Sequence, residues 1–464
     1  MPEAATGGAG TPVAHQLSCV FGSGLTRPIS WRRQRLRELA LLLDEGSASL
    51  TAAMAADMGK PVVESWLTDI AAVRRDVNGI AANLERWASP QRAAVPWQLW
   101  PGRARLVPEP LGAALVLGPW NYPVRCLLLP MAFAIAAGNV VAVKPSELAP
   151  ATARVIADLV RRYMPTPAVK VVQGGPEVAA GLVDQPWDII FFTGGARTGR
   201  AVMAAAARHL TPVVLELGGK NPAIVDATAH LRSAAQRIAW AKFLNAGQTC
   251  VAPDYVLVQR SVAHRFGQEL AGRLLAFFGP EPRRSADLGR LVNDVHFRRV
   301  ETMLGSSKGT LLAGGETVAE ERYIAPTLVT DVGWDDALMQ EEIFGPVLPI
   351  LAYDDLGEAL DEVRRRDKPL TLYLYSRDPA AHDRVIASTS SGSVCVNHSA
   401  VQLAVPSLPF GGVGASGMGA YHGKAGFDAF SHTKAVLVRP AKTELALMYP
   451  PYTRLKRWLL GKAV

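Results

Sequence analysis

Four short apolar stretches in the first half of the chain limit its fold more than any other feature of the sequence. Helical patterns such as residues 150–164 lie between them, and each stretch ends at a glycine or a proline. Apolar strands that alternate with helices are typical of βαβ units and a parallel sheet. Ligands of such sheets bind beyond the carboxyl ends of the strands, so we expect functional residues there. The stretches are 112–118, 139–145, 169–175 and 188–195.

A second α/β block is predicted after the first, and helices are predicted before both. Residues 31–87 carry apolar side chains at three- and four-residue spacing, which predicts helices. Residues 89–110 are rich in proline, tryptophan and arginine, so we expect an irregular connection or an extended arm there. Only the first ten residues have low complexity. The further predicted strands are 221–226, 254–259, 346–353 and 371–376.

The composition argues against several classes of protein. The 464 residues are 49% hydrophobic and 19% charged, as expected for a folded, soluble chain with a sizeable core. The net charge of +8 comes without a long basic block, so no nucleic-acid partner is predicted. No uncharged run reaches the ~20 residues of a membrane span, so no integral membrane segment is expected. The basic residues 453–464 predict a terminal helix, with contact to a membrane surface as the alternative.

The cysteines are widely separated and form no CxxC pair and no metal-ligand spacing. They are Cys19, Cys126, Cys250 and Cys395, and the nine histidines form no ligand cluster either. We therefore expect reduced thiols, a cytoplasmic location and no metal site. Cys250 is unusual because it ends the segment NAGQTC, whose small, turn-forming residues predict a loop, whereas free cysteines are usually buried.

Polar residues follow several predicted strands, and each has a structural and a functional interpretation. The glycine pair 194–195 precedes a helical pattern and predicts either a plain turn or a phosphate site at a helix N-terminus. Asn121 is either a turn-former or a donor to a substrate oxygen. Lys144 and Glu147 either mark an exposed strand end or bind sugar hydroxyls. Glu216, before two glycines, is either a loop carboxylate or a carboxylate aimed into a cleft.

Five motifs occur in one order along the chain, and together they resemble the aldehyde dehydrogenase superfamily. Glu216 and Cys250 also stand 34 residues apart, as they do in the family. The resemblance covers residues 31–452. The motifs are FTGG at 192–195, LELGGKNP at 215–222, NAGQTC at 245–250, EEIFGP at 341–346 and PFGGVGASGMG at 409–419.

Finer details of the sequence are similar to the class 3 branch of this family. PWNYP at 119–123, CVAPDY at 250–255 and GMGAYHGKAGFDAFSH at 417–432 carry this similarity. That branch is typically dimeric and oxidises medium-chain or aromatic aldehydes with NAD or NADP. The resemblance therefore implies a homodimer, an aldehyde substrate and one of these two cofactors.

The resemblance implies an α/β, aldehyde dehydrogenase-like fold in three parts. The Rossmann-like NAD(P)-binding domain is expected to comprise residues 10–89 and 112–214. The α/β catalytic domain is expected over residues 215–394. Residues 90–111 and 395–464 are expected to form the small bridging or oligomerisation element and the C-terminal segments.

The same resemblance implies oxidation of an aldehyde to a free carboxylic acid. Cys250 is the implied nucleophile, which forms a thiohemiacetal and, after hydride transfer, a thioester. The other three cysteines are expected to be structural. Asn121 and the backbone N–H of Cys250 are the implied donors to the oxyanion. Glu216 aligns with the usual hydrolytic base of the family, and Glu342 is a second glutamate implicated in class 3 relatives, so the identity of the base stays open.

The implied cofactor contacts are spread over these motifs. Lys144 and Glu147 are assigned to the adenosine ribose, and Glu342 with Phe344 is assigned to the nicotinamide end as an alternative to a role as base. A glutamate at 147 often disfavours NADP, so NAD is expected to work and NADP stays open. The residues assigned to the cofactor are Trp120, Lys144, Glu147, Thr193, Gly194, Gly195, Gly199, Leu217, Gly218, Glu342 and Phe344.

Two other functions compete with this hypothesis. CoA-acylating or phosphorylating relatives often lack the glutamate that is Glu216 here, and a non-catalytic scaffold would not need an intact Cys250 and Asn121.

The chain also departs from the family pattern. Ala196 replaces a polar residue near the pyrophosphate, and His398 and Gln402 replace residues near the substrate funnel, so the preferred aldehyde stays open. His398 is expected to be a wall or hydrogen-bonding residue and not a proton shuttle.

Overall fold

The computed structural model describes residues 11–442 and 446–463. The low-complexity residues 1–10 lie outside the described residues, as do 443–445 and 464. Residue 10, where the predicted cofactor domain begins, and residue 464, where the predicted C-terminal segment ends, therefore also lie outside the described residues.

The helices predicted for residues 31–87 are confirmed, and further helices follow along the rest of the described chain. The α-helices are α1 (Val13–Gly22), α2 (Ile29–Glu45), α3 (Ser47–Met58), α4 (Val62–Glu64), α5 (Ala72–Ala88), α6 (Arg125–Ala137), α7 (Pro150–Tyr163), α8 (Pro176–Val183), α9 (Ala196–Ala207), α10 (Leu231–Phe243), α11 (Arg260–Phe278), α12 (Asp294–Gly305), α13 (Ala337–Gln340), α14 (Leu356–Arg364), α15 (Pro379–Ser388), α16 (Gly423–Ala429) and α17 (Arg454–Ala463). Short 3₁₀ turns lie at Trp97–Leu99, Leu244–Gly247, Pro282–Arg284, Ala319–Glu321, Val401–Ala404 and Ala446–Met448, and a π-helical turn at Ser65–Ala71.

The strands include every stretch that the sequence predicted. They are β1 (Gln91–Ala93), β2 (Arg103–Pro110), β3 (Ala113–Leu117), β4 (Val140–Lys144), β5 (Val169–Val171), β6 (Ile189–Thr193), β7 (Val213–Glu216), β8 (Pro222–Val225), β9 (Tyr255–Gln259), β10 (Thr310–Ala313), β11 (Thr317–Val318), β12 (Tyr323–Ile324), β13 (Thr327–Thr330), β14 (Val347–Tyr353), β15 (Thr371–Tyr375), β16 (Ser393–Val396), β17 (Gly417–Met418) and β18 (Ser431–Val438).

The first sheet is a six-stranded sheet in the order β17-β7-β6-β3-β4-β5. All neighbours pair in parallel except β17, which pairs antiparallel with β7. The chain runs from β3 outward through β4 to β5, then returns to β6 on the other side of β3. The order reverses between β3 and β6, and ligands bind at such a switch point beyond the carboxyl ends. This is the Rossmann-like arrangement expected from the sequence, and the α/β fold is confirmed.

The second sheet has seven strands in the order β10-β13-β14-β9-β8-β15-β16. Its strands pair in parallel except at β10, which pairs antiparallel with β13. Residues 217–221 connect the carboxyl end of β7 directly to the amino end of β8. The carboxyl edge of the first sheet therefore faces the amino edge of the second, and the candidate residues lie at this meeting of the two edges.

Two smaller sheets complete the fold. Strands β1, β2 and β18 form a three-stranded antiparallel sheet, and β11 pairs with β12. Residues 89–110, predicted as an irregular connection or extended arm, thus provide two strands of a sheet. The alternation of β2 is weak, with most of its residues partly exposed, so period-two patterning did not reveal it.

The core lies on both faces of both large sheets. Every residue of β3 and β4 is buried, and α6 is buried from Cys126 to Ala137, which explains the continuous apolar runs in the sequence. Each such Val or Leu side chain contributes about 1.5–3 kcal/mol of burial free energy.

A fully buried ion pair stands out in this apolar surrounding. Lys60 Nζ lies 2.6 Å from Asp69 Oδ2, and both side chains have 0% exposure. Asp69 belongs to the π-helical turn, and its Oδ1 accepts from the backbone N–H groups of Val124 and Arg125, at 3.2 and 2.9 Å. The pair therefore ties the turn to the loop that carries Asn121, because Lys60 also donates to the Asn121 carbonyl at 3.2 Å.

Among the described residues, no single helix is long and apolar enough to cross a membrane; α2 and α3 meet the length and composition criteria only as a pair bent by 64°. Within the same residues, no group of three or more His, Cys, Asp and Glu side chains is arranged to hold a metal ion.

Candidate active site

The segment that ends at Cys250 is a tight left-handed turn. Asn245 and Ala246 have φ of +51° and +53°, and Gly247 has φ of +76°. A Cβ atom on Gly247 would lie 2.1 Å from the Gly345 carbonyl oxygen. Both the backbone angle and the lack of space therefore require glycine here. The turn directs the chain from α10 toward the start of β9.

Hydrogen bonds from three neighbouring elements hold this turn. The Gln248 side-chain amide donates to the Asn245 carbonyl, and its oxygen accepts from the Val292 N–H, both at 3.0 Å. The Thr249 hydroxyl lies 2.7 Å from the Tyr122 hydroxyl. Asn221 Nδ2 donates to the Cys250 carbonyl at 2.7 Å. These bonds leave the position of the thiol well defined.

Cys250 lies in the wall of a largely apolar cavity of about 220 Å³. Tyr122, Trp240 and Phe410 are among the other lining residues, and all four cysteines are free. The thiol is partly accessible from the cavity. Burial raises its pKa well above the usual 9.0, and the charges of Glu342 and Glu216 act in the same direction while Arg125 opposes them. The thiol is therefore neutral at pH 7 in the structure as it stands.

Asn121 lies beside this turn on the loop after β3. Its side-chain Nδ2 donates to the Gln248 backbone carbonyl at 3.0 Å. The backbone carbonyl of Asn121 accepts from Asn245 Nδ2, also at 3.0 Å. The side chain is 5% exposed. A primary amide carries two donors, so one N–H of Asn121 remains available for another acceptor.

Glu216 is the last residue of β7 and is 3% exposed. Neither carboxyl oxygen has a hydrogen-bond partner among the described residues. Burial alone raises the pKa of this carboxyl well above its usual value. A buried carboxyl without a partner indicates that water or a ligand completes the site.

Glu342 approaches the same place from the loop before β14. A Cβ on Gly218 would lie 2.0 Å from Glu342 Oε2, so the carboxyl group packs directly against the glycine pair after Glu216. Burial raises the pKa of Glu342 to about 8, with Asp254 adding to the shift, and the Gly219 backbone, Arg299 and Lys220 acting against it. Glu216 and Glu342 are thus both close enough to Cys250 to influence its pKa.

The residues assigned to the cofactor lie mostly at the carboxyl edge of the first sheet. Trp120 follows β3, Lys144 ends β4, Thr193 ends β6 and Leu217 follows β7. Since the carboxyl ends of parallel strands meet at one edge, the structure brings these residues to the same side of the sheet.

This edge has the features that a dinucleotide needs. Lys144 Nζ donates to Glu147 Oε2 at 2.7 Å, and Glu147 stays partly exposed. The Thr193 hydroxyl is buried and has no partner among the described residues. Gly195 precedes α9 without a side-chain cap, and nothing lies within 4 Å of where its Cβ would be. The free N–H groups at the start of α9 suit a phosphate. The residues present therefore fit the cofactor.

Other assigned residues shape the walls of this edge. Gly194 packs on the Phe192 ring, and Gly199 packs on Leu217, where added Cβ atoms would lie 2.5 and 2.7 Å from the neighbouring side chain. Trp120 meets the Phe344 ring edge-on, with 5.5 Å between the ring centroids.

His398 and Gln402 do not line the cavity, although residues around them do. His398 Nδ1 bonds the backbone of Ser399, and its ring lies 6.1 Å from Trp240. Gln402 donates to the Thr371 hydroxyl at 3.0 Å. Ala400, Val401, Leu403 and Ala404 line the cavity instead.

Sequence reasoning missed several residues that support the site. Lys60, Asp69 and Gln248 fix the loop and the turn by hydrogen bonds, and Arg125 lies in the cavity wall. Gln248 lies within the quoted motif NAGQTC, and Arg125 lies two residues after PWNYP, so position in or near a motif was the available signal. Lys60 stands between a glycine and a proline, and Asp69 stands in a helical pattern; neither position carries a signal of burial.

Comparisons with known proteins agree with this geometry. The model of the aldehyde dehydrogenase family matches residues 25–436. The chain is 43% identical over 447 residues to aldehyde dehydrogenase family 3 member H1 of Arabidopsis thaliana, covering 96% of this chain and 92% of the relative. The substrate-bound state of Staphylococcus aureus AldH has a TM-score of 0.94 at 40% identity, covering 97% and 98% of the two chains.

A more distant structure contains a cofactor. An indole-3-acetaldehyde dehydrogenase from P. syringae in complex with NAD+ has a TM-score of 0.84 at 27% identity, and the match covers 92% of this chain and 88% of the other.

Proposed function

The chain belongs to the aldehyde dehydrogenase family and is an NAD(P)-dependent aldehyde dehydrogenase, and from this premise we propose that Cys250 is its nucleophile. The observation that carries the proposal is the position of Cys250 in the wall of an apolar cavity, at the end of a turn that is hydrogen-bonded to Asn221 and to the Asn121 amide. A thiol held in place on such a turn is suited to attack on a carbonyl group.

In the first step, the Cys250 thiol loses its proton to water, the resulting thiolate sulfur bonds to the aldehyde carbon, and the carbonyl oxygen becomes an alkoxide. We propose that the remaining N–H of Asn121 and the backbone N–H of Cys250 stabilise this alkoxide. Removing one such donor usually lowers the rate by about 10²–10³. The hydrogen bond from Asn121 to the Gln248 carbonyl keeps the amide in place before the substrate arrives.

The alkoxide then reforms its carbonyl bond and loses hydride, which leaves a thioester on Cys250. The dinucleotide, when bound, supplies the hydride acceptor. We propose that Lys144 and Glu147 hold its ribose and that Thr193, Gly194, Gly195 and the start of α9 hold its phosphates. Trp120, Gly199, Leu217, Gly218, Glu342 and Phe344 form the walls around it.

Hydrolysis of the thioester needs a base that takes a proton from water. The oxygen of that water bonds to the acyl carbon, the carbon–sulfur bond breaks, and the carboxylic acid leaves while Cys250 recovers its thiolate. We propose Glu342 as the base, because its raised pKa of about 8 leaves a fraction of the carboxylate ionised at neutral pH and makes that carboxylate a stronger base than an ordinary glutamate. Burial also raises the pKa of Glu216, and its unpartnered carboxyl oxygens are available to the water or substrate beside it.

The experiment measures NAD(P)H formation and the carboxylic acid product in the absence of CoA and added phosphate. We expect the wild-type protein to form both products in equal amounts with a neutral aldehyde, and Cys250→Ser to form neither. Cys19→Ser, which removes an exposed thiol far from the turn, is the matched control and should behave as wild type. Full turnover by Cys250→Ser would refute the assignment.

The division of the chain and its assembly are also proposals. We propose that residues 10–89 and 112–214 form the cofactor domain, residues 215–394 the catalytic domain, and residues 90–111 with 395–464 the bridging element.

We propose that the protein is a homodimer. In support of this, β18 is the outer strand of its sheet and exposes Leu437 and Val438 at 50% and 51%. Sedimentation equilibrium should then give about twice 49.6 kDa.

We propose a cytoplasmic location because four free cysteines, one of them the nucleophile, need a reducing compartment. Cell fractionation tests this proposal, and recovery in an oxidising compartment would contradict it.

A further inference from the structure

The cavity that holds Cys250 has an unusual charge pattern. Its described lining residues include two arginines, Arg75 and Arg125, and none of them is aspartate or glutamate. The rest of the wall is mainly apolar. A purely apolar aldehyde would need no cation here, and a buried guanidinium without a counter-ion is costly.

Arg125 is the cation without an acidic partner. It is half-buried, and its guanidinium donates only one weak hydrogen bond among the described residues, to the Leu403 carbonyl at 3.4 Å. Asp69 accepts from the backbone N–H groups of Val124 and Arg125 and is paired with Lys60. The guanidinium therefore keeps most of its five donors available.

Arg75 differs from Arg125 in this respect. It is paired with its neighbour Asp76, with Nη2 at 2.8 Å from Oδ1, and is largely exposed. Arg75, Leu403 and His422 line both the Cys250 cavity and a second, more polar cavity of about 330 Å³. Because Arg125 contacts Leu403, it lies near the junction of the two cavities.

His422 adds a second unpartnered polar group at this junction. It is 5% exposed, and its Nε2 has no hydrogen-bond partner among the described residues. Burial lowers its pKa well below the usual value, and the charges of Arg125 and Arg75 lower it further. The imidazole is therefore neutral. The junction offers a fixed cation and a neutral ring, with Arg86 and Lys424 in the second cavity beyond.

We propose that the Arg125 guanidinium binds a carboxylate of the substrate, so that the enzyme oxidises aldehydes with an ω-carboxylate in preference to neutral aldehydes of equal chain length. The apolar wall holds the chain between the two ends. A guanidinium binds a carboxylate through two parallel hydrogen bonds, which an ammonium group does not reproduce. This inference rests on the proposed function of Cys250, because the same cavity holds both residues.

The experiment compares kcat/KM for octanal and for its ω-carboxylated counterpart. We expect the wild-type enzyme to prefer the acidic aldehyde by at least about tenfold, the loss expected when a charged hydrogen bond is absent. In Arg125→Leu, the ratio of the two kcat/KM values should fall at least about tenfold. Arg125→Lys should give an intermediate ratio, and it keeps the charge if Arg125→Leu does not fold.

Arg74→Leu is the matched control, because Arg74 lies on the same helix as Arg75 but pairs with Asp44 away from the cavity. It should keep the wild-type ratio. A wild-type ratio of one or less, or a ratio unchanged in both Arg125 variants, would overturn the proposal while octanal oxidation continued. Absence of oxidation of both aldehydes by the wild type would instead count against the function proposed for Cys250.

Discussion

Cys250 owes its position to residues that take no part in bond making. Gly247 permits the left-handed turn, and Gln248 and Asn221 hold the backbone on either side of the thiol. The NAGQTC segment predicted a loop with a reactive cysteine, and the structure shows why each small or amide-bearing residue occurs in it. The NAGQTC motif therefore indicated that Cys250 is unusual, and the hydrogen bonds around the turn explain how Cys250 is held in place.

The raised pKa of Cys250 predicts slow alkylation at neutral pH. Because the pKa lies well above 9.0, the thiolate is a minor form at pH 7, and its fraction rises with pH. The rate of inactivation of the cofactor-free enzyme by iodoacetamide should therefore rise about tenfold per pH unit between pH 7 and 9. Peptide mapping, with Cys250→Ser as control, identifies the modified thiol. A rate that is already constant below pH 8 would show that the thiol ionises at lower pH.

Some residues of the site were beyond sequence reasoning for a physical reason. Lys60 stands between a glycine and a proline, Asp69 follows nine residues later in a helical pattern, and charged residues are usually solvent-exposed. Arg125 has no partner whose spacing would reveal it. Burial and pairing depend on which segments meet in space, so the local pattern carries no signal for them.

The elements around the site share one arrangement, in which the carboxyl edge of the first sheet faces the amino edge of the second. The strand order, with the reversal between β3 and β6, brings the ends of β4, β6 and β7 to one edge. The apolar stretches predicted these parallel strands because both faces of the sheet are covered. The three-stranded sheet was not predicted as such, because β2 and β18 pair across more than 300 residues, β18 is mostly exposed, and β2 has no fully buried residue.

The buried ion pair links two of these elements and gives a stability prediction. Asp69→Asn leaves Lys60 as an uncompensated buried charge and weakens the bonds to Val124 and Arg125. We expect a loss of about 3–5 kcal/mol in stability. The midpoint of thermal unfolding, followed by circular dichroism, should fall by several degrees.

Asp44→Asn provides the control for this change. Asp44 pairs with Arg74, and both side chains are at least one-third exposed, so its loss should cost at most about 1 kcal/mol. Equal shifts of the two midpoints would mean that the buried pair has no special importance for the loop.

On the scale of the whole molecule, the two sheets provide separate supports for the two groups of residues to which we assign cofactor binding and nucleophilic attack. The first sheet presents Lys144, Thr193 and the start of α9 at one edge, and the second holds the turn with Cys250. Glu216 ends a strand of the first sheet, and Glu342 reaches it from the second. Resemblance of five ordered motifs was sufficient to predict this fold and the family. The charge of the cavity depends on Arg125 and required the structure.

The most direct test of the central claim is mass spectrometry of Cys250 during turnover. Glu342→Gln enzyme mixed with NAD and an aldehyde and quenched within milliseconds should carry one acyl group on the peptide that contains Cys250. The same reaction with Glu216→Gln shows which carboxyl group hydrolyses the thioester, and Cys250→Ser should show no adduct. Sustained aldehyde oxidation by the wild-type enzyme, with the sulfur of Cys250 unmodified in every variant, would contradict the account.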